Sequence, residues 1–385
     1  MKSAIIAAVD PILAYARAKQ RDIISLIRLL VECESPSGEQ VALDRFVSLM
    51  SDVVAPMAKI SIFPHGHMRA EFHLPGTKKK GRLLALGHSD TVWPMGTLRS
   101  MPFRQEKGRL WGPGALDMKS GLAFFVFALR ALRDLEIPVS RSVMLQLNAD
   151  EETGSTTSRT LTEQIARKSD AVLVLEPGTG LEGKLKTSRK GVGAYRVTIH
   201  GKASHAGVDF AAGASAIVEL AKQIERIAGF TEPTRGITVN PGVVSGGTRS
   251  NVVAAEAIVE VDIRVARLKD TPRLDLKFRS LRPVDKRCRI EISGGLNRPP
   301  MERSRGIREL FGHAKRLARE IGIELEESAT GGGSDGNFTA ALGVPTLDGL
   351  GGVGEGAHAA NESILVNRIA DRTALLAKLI ASPAP

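Results

Sequence analysis

Two histidines and five acidic residues stand where apolar runs of this chain give way to polar ones. "LLALGHSDTV" ends in His88 and Asp90, "LQLNADEETGS" places Glu151 and Glu152 after a second apolar run, and "AVLVLEPG" places Glu176 after a third. Asp117 lies in "WGPGALDMKSG", directly before a long apolar stretch, and His358 lies in the glycine-rich "GGVGEGAHAAN". One acid at a strand exit is commonplace, whereas carboxylates gathered at one sheet edge repel strongly unless cations neutralise them. Imidazole and carboxylate donors without thiolates suit zinc, with cobalt or manganese as alternatives. Two histidines and three acids suffice for two ions that share a bridging carboxylate. Such pairs sit about 3.5–4 Å apart and activate water.

The elements that must position these groups follow from periodicity. Ile23, Leu26, Ile27 and Leu30 mark a helix, and a second is expected to start at Ser37 as its N-cap. Strands are expected at 82–88, 142–149 and 171–175, with a buried helix over 118–135 between the first two. This alternation is that of an α/β fold, a mostly parallel sheet with helices on both faces. It also puts the polar residues at strand C-termini, where open α/β sheets bind their ligands. The middle of the chain changes character. "AYRVTIHG", "GITVNPGVVSGG", "AEAIVEVDIRV" and "CRIEISGG" alternate with period two, as in a sheet with one wet face. A helix near 213–229 interrupts them. Helices at 303–321 and 367–381 and a strand at 344–348 complete the first pattern. The expected organisation is an α/β domain in two pieces, 1–189 and 299–385, with a smaller α+β domain, 190–298, inserted.

The chain has 385 residues, 43% hydrophobic and 25% charged, which favours two globular domains over disorder. Its two cysteines, Cys33 and Cys288, match no zinc-thiolate or redox spacing. "MKSAIIAAVDPIL" is too short and too interrupted for a secretory h-region, and no apolar run approaches the ~20 residues of a membrane span. A cytoplasmic protein with no membrane partner is therefore expected. The formal charge of +11 is dispersed, "TKKKGR" (77–82) being the main cluster, and 4% aromatic residues leave few stacking platforms. A solvated surface that favours anionic small molecules is expected, with no nucleic acid as partner.

Eight motifs in order, "GHSDTV", "GPGALDMKSG", "NADEETGS", "LVLEP", "GKASHAG", "SNVVAAEAIVEVDIRV", "GGGSDGN" and the terminal "AH", resemble the M20 metallopeptidases. The resemblance is strongest to their glutamate carboxypeptidases, the carboxypeptidase G2-like group. It implies a zinc-exopeptidase-like catalytic domain with the inserted domain serving as dimerisation and lid domain. His88 and Glu176 would complete one metal and Glu152 and His358 the other, with Asp117 bridging. A cis peptide would follow Asp117, and Asp90 would hold the His88 imidazole in its tautomer. Glu151 would be the general base, taking a proton from water and passing it to the leaving amine.

The same resemblance gives His205, otherwise an ordinary loop histidine, the role of reaching the partner subunit's active site in a homodimer and stabilising the oxyanion. Asn251 would join the substrate site. Alternation along 256–265 leaves Arg264 half-exposed, as for a surface ion pair. The resemblance instead has it grip a free α-carboxylate, which suits its bidentate fork. The run Gly331 to Gly333 would let backbone approach a ligand. Lys184 would face the side-chain carboxylate of a C-terminal glutamate, although "EGKLKTSRKG" offers other cations. The expected activity is hydrolysis of an amide next to a free carboxylate, releasing C-terminal glutamate from acyl, peptidyl or folyl substrates, with two Zn2+ per subunit. The alternatives are an N-acyl-amino-acid deacylase or dipeptidase of the same family and, from another class, a non-catalytic polyanion-binding protein.

Overall fold

In the computed structural model, which describes residues 9–77 and 79–382, the run Arg82–His88 is an interior strand of a six-stranded sheet. It pairs in parallel with Ser142–Asn148 on one side and Ala171–Val174 on the other. The register sets His88 opposite Asn148 and Leu86 opposite Val174, so three strand ends finish at one edge. Thr346–Leu347 extends the sheet in parallel, and the hairpin Ala58–Phe63/His67–Phe72 closes the other side. Of the six strands, His67–Phe72 alone runs against the rest.

Both faces of the central strands are apolar because both are covered. Leu83, Ala85, Val143, Leu145 and Leu173 enter the main core with helix Ser120–Asp134. Leu84, Leu86, Met144, Val172 and Val174 enter a second core with Ile165 and Ala166 of helix Arg159–Ala166. Helix Ser120–Asp134 is buried on nearly every side, and helix Ile369–Ala381 packs against it. Phe124, Phe125 and Val126 each contribute roughly 1.5–3 kcal/mol by leaving water. The carbonyl of Leu175, just past its strand, lies between Gly121 of that helix and Gly351. A Cβ on either glycine would collide with the Leu175 oxygen.

Among the expected boundaries that move, two do so for a clear local reason. The buried helix begins at Ser120 rather than 118, because Asp117 and Met118 have non-helical dihedrals and their peptide bond is cis. The helix expected from Ser37 begins instead at Gln40. Gly38, at φ 84°, breaks the helical path, and the Ser37 hydroxyl donates to Asp90 Oδ2 at 2.8 Å instead of capping. The apolar patch over residues 1–8 and Lys78 of the basic cluster lie outside the described residues. Among the described residues no helix is long and apolar enough to cross a membrane.

Contacts divide the chain into two units. The larger runs up to Ser188 and includes Arg303–Ala329 and the chain from Ser334; the smaller is Arg189–Glu302 with Thr330–Gly333. The smaller unit is a four-stranded antiparallel sheet in the order Thr238–Gly246, Glu256–Val265, Gly191–His200, Arg289–Arg298. Val197, Ile199, Val259, Val261 and Ile263 point to one face, where Leu220 and Ile227 of helix Ala216–Ala228 and Leu274 and Phe278 of helix Thr271–Arg279 cover them. The opposite face carries Arg196 and Glu260, paired across strands at 3.1 Å.

The glycine contacts make a paired prediction. Gly121→Ala is expected to destabilise the protein by about 1–3 kcal/mol, since the new methyl meets backbone that cannot yield. Gly312→Ala, inside helix Arg305–Glu320 with nothing within 4 Å of its added Cβ, should stabilise by about 0.5–1 kcal/mol. Denaturant midpoints that moved in the same direction for both would contradict this packing.

Candidate metal centre

The aligned strand ends carry the site. His88 is the last residue of its strand, Glu151 and Glu152 form the turn after Ser142–Asn148, and Glu176 follows Ala171–Val174 by two residues. Asp117 lies in the turn Ala115–Lys119 that enters the buried helix. His358 sits between strands Gly354–Glu355 and Ser363–Leu365 at φ 61°, a left-handed conformation uncommon outside glycine.

These groups converge, all within the larger unit. His88 Nε2 is 3.2 Å from Asp117 Oδ1 and 3.4 Å from Glu176 Oε1. His358 Nε2 is 3.4 Å from Asp117 Oδ2 and 3.2 Å from Glu152 Oε1. Asp117 thus stands between the imidazoles with one oxygen toward each. Donor atoms of His88, Glu151 and Glu176 also lie within 4.8 Å of one another, as do those of His88, Asp117 and Glu152.

The arrangement fits divalent ions on its own chemistry. His88 Nδ1 is 2.9 Å from the backbone carbonyl of Asp90, which can only accept. That nitrogen therefore carries hydrogen, and Nε2 points its lone pair into the cluster when the ring is neutral. Burial opposes a proton on His88, but Asp117, Asp90 and Glu176 together hold its pKa well above the ordinary value. Asp117 and Glu152 push His358 up to about 10. Burial alone would raise the Asp117 carboxyl, yet the imidazoles outweigh it and hold it well below the usual carboxylate range. The cluster therefore favours positive charge, which protons on the imidazoles or bound cations can supply.

Asp90 is buried and anchors the neighbouring turn. Its Oδ1 accepts the Glu151 N–H and its Oδ2 the Glu152 N–H, both at 3.1 Å, while its carboxylate is 3.4 Å from His88 Nδ1. Sequence reasoning passed over three further groups. Ser37 bonds Asp90, and the Lys119 ammonium, lowered by burial to about 8, donates to the Cys33 carbonyl at 2.9 Å. Glu362 accepts backbone N–H groups of the Asp117 turn. No residue spacing announces any of them.

The remaining expected site residues fall elsewhere. Lys184, in the larger unit, pairs with Glu326 Oε2 at 2.6 Å. His205, Asn251, Arg264 and Gly333 all belong to the smaller unit. His205 and Asn251 are exposed on adjacent loops, joined by the Ala206 N–H to the Asn251 carbonyl at 2.9 Å. The Arg264 fork takes both oxygens of Asp262 at 2.9 Å, and its third nitrogen donates to the Gly331 carbonyl at 3.2 Å. Arg189 Nη1 donates to the carbonyls of Gly332 and Gly333, and a Cβ on Gly333 would meet Val192 Cγ2 at 2.8 Å.

An α/β sheet that gathers imidazoles and carboxylates at its strand ends fits a metal-dependent enzyme. The chain belongs to peptidase family M20/M25/M40, whose family model matches residues 84–382. It is 32% identical over 311 residues to carboxypeptidase G2 of Pseudomonas sp., covering 79% of this chain and 75% of that protein. Among solved structures, aminopeptidase PepT from Bacillus cereus matches with a TM-score of 0.77 at 23% identity, over 94% of this chain and 98% of that chain. An M20 family metallo-carboxypeptidase from Sulfolobus solfataricus matches with a TM-score of 0.74 at 19% identity, over 94% and 99%. At those identities the structural matches bear on the fold.

Metal uptake has a proton signature. Both imidazole pKa values lie above the ordinary ~6.5, so the metal-free pairing is fully present below that pH and fades as pH rises, for His358 through about 10. Ions must displace those protons. Adding Zn2+ to metal-free protein in weak buffer at pH 7.5 should release protons, and apparent affinity should fall as pH is lowered. An indicator-dye titration with binding but no release would mean that the imidazoles are neutral at that pH or lie outside the ligand set.

Proposed function

We propose that this peptidase hydrolyses an amide bond next to a free carboxylate, releasing C-terminal glutamate from acyl, peptidyl or folyl substrates. The observation that carries the reading is Asp117 standing between His88 and His358 with one oxygen toward each, and Glu151 beside them. Two Zn2+ ions, with Co2+ or Mn2+ as alternatives, would be held by His88 and Glu176 and by Glu152 and His358, sharing Asp117. Bound there, they supply Lewis-acid polarisation of the scissile carbonyl and a more acidic water. Glu151 accepts the proton of the attacking water and returns it to the leaving nitrogen. Asp90 fixes the backbone of Glu151 and its neighbour Glu152 through their amides.

Arg264, Asn251 and Gly333 would receive the substrate's carboxylate end. The Arg264–Asp262 pair is half-exposed, so solvent screens it even though the fork is bidentate. A substrate carboxylate would have to share the fork with Asp262 or replace it. Glutamate as the leaving residue is supported by the identity to carboxypeptidase G2. One observation favours a broader dipeptidase or N-acyl-amino-acid deacylase: Lys184 already has a carboxylate partner in Glu326.

Activity on N-acyl amino acids varied at each side decides between them. Arg264→Ala should lower kcat/KM for free acids more than for their esters. Lys184→Ala should cost glutamate substrates more than neutral ones, and an unchanged glutamate preference would favour the broader reading. Glu151→Gln should keep both metals while kcat falls roughly 100- to 10,000-fold, whereas Glu152→Gln should loosen one metal. Equal metal loss in both would mean that the two residues share the ligand role.

We further propose a homodimer in which His205 serves the partner subunit's site, donating to the oxyanion. Val208, Phe210, Ile217, Val218, Val243 and Val244 of the smaller unit are exposed apolar residues that a partner would cover. Co-expressed Glu151→Ala and His205→Ala chains should recover at most about a quarter of wild-type activity, since half of randomly assorted dimers are mixed and half their sites whole. Tagged heterodimers without recovery would confine His205 to its own chain or remove it from catalysis.

A further inference from the structure

Glu362 follows His358 by four residues and is fully buried. Its Oε1 accepts the N–H groups of Leu116 and Asp117 at 2.9 and 3.0 Å. Its Oε2 accepts the Gly114 N–H at 2.9 Å and the Trp93 indole N–H at 2.8 Å. Its own N–H donates to the carbonyl of Ala359 at 2.9 Å, and its carbonyl accepts the Gly112 N–H at 3.4 Å. One residue thus ties together three segments: the exit from the His88 strand through Trp93, the turn that carries Asp117, and the turn that carries His358.

The chemistry of this arrangement calls for a carboxylate. Four N–H donors converge on two oxygens, and an ionised carboxylate is acceptor at both. Among the described residues no Lys, Arg or His nitrogen lies within ion-pair distance of it, so these donors are what make its burial tolerable. A glutamine of the same shape would turn an NH2 against one pair of N–H groups. The side chain itself touches none of the converging carboxylates or imidazoles; it acts on Asp117 through the Asp117 backbone.

We propose that Glu362 is the positioning residue that keeps the Asp117 carboxylate between the two imidazoles, and so sets the geometry of the two ion positions. This rests on the reading of Asp117 as shared ligand. Outer groups that orient a ligand commonly contribute 10- to 100-fold in affinity or activity. Glu362→Gln should therefore remain folded, take up the second Co2+ about 10- to 100-fold more weakly, and show an altered visible Co2+ spectrum. Its kcat should fall by a similar factor with KM nearly unchanged. Trp93→Phe removes one bond from Oε2 and leaves both at Oε1. It should lower the melting temperature while leaving Co2+ affinity and spectrum as in wild type. Should the glutamine variant not fold, Glu362→Asp, which keeps the charge and draws the oxygens back, gives the same readouts.

The outcomes separate the proposal from its premise. Wild-type protein that binds fewer than two Co2+ would overturn the dinuclear reading and this proposal with it. Wild type binding two ions, with a folded Glu362 variant matching it in affinity, spectrum and kcat, would overturn this proposal alone. Equal loss of Co2+ affinity in Trp93→Phe and Glu362→Gln would also overturn it, because the effect would then be general loosening.

Discussion

Like charge crowded into a poorly solvated place is the constraint around which this protein is organised. Asp117, Glu152 and Glu176 bring their carboxylates to one pair of imidazoles, and at an effective dielectric of about 20 two such charges 4 Å apart repel by about 4 kcal/mol. A chain can hold that arrangement only if the backbone beneath it is fixed by other means. The larger unit does so with buried acceptors placed under the loops. Asp90 takes the amides of Glu151 and Glu152, and Glu362 takes those of Gly114, Leu116 and Asp117. Backbone N–H groups thus go to Asp90 and Glu362, carboxylates outside the converging set, and the converging side chains are left to cations.

Much of this was legible in the sequence because the sheet writes plainly. A parallel interior strand must be apolar on both faces, so "LLAL" and its counterparts could end in His88, Glu151 or Glu176 only by leaving the core. The parallel register then turns separate sequence positions into one edge. The smaller unit was readable for the complementary reason: one face wet, one dry, with period two along each strand.

What was not legible depends on partners distant in the chain or on a local competitor. Ser37 precedes a helical pattern and looks like a cap, but its hydroxyl has a buried carboxylate 53 residues away to bond. Glu362 in "ANESILV" resembles any solvated acid, and the donors that define it lie 245 to 269 residues upstream. Arg264 and Lys184 show the limit from another side. Residue type places a cation, but it does not say whether an intramolecular acid, Asp262 or Glu326, takes it first.

The hydrogen bond from His88 Nδ1 to the main-chain carbonyl of Asp90 has an evolutionary consequence. A tautomer lock built from a side chain can be lost to a single codon change, whereas every amino acid brings the same carbonyl. Random substitution at position 90 therefore keeps that acceptor so long as the backbone keeps its course, while what is lost is the carboxylate beside Nδ1 and the anchor of the turn that carries Glu151 and Glu152. Inheritance can vary one function of that position while the other is passed on intact.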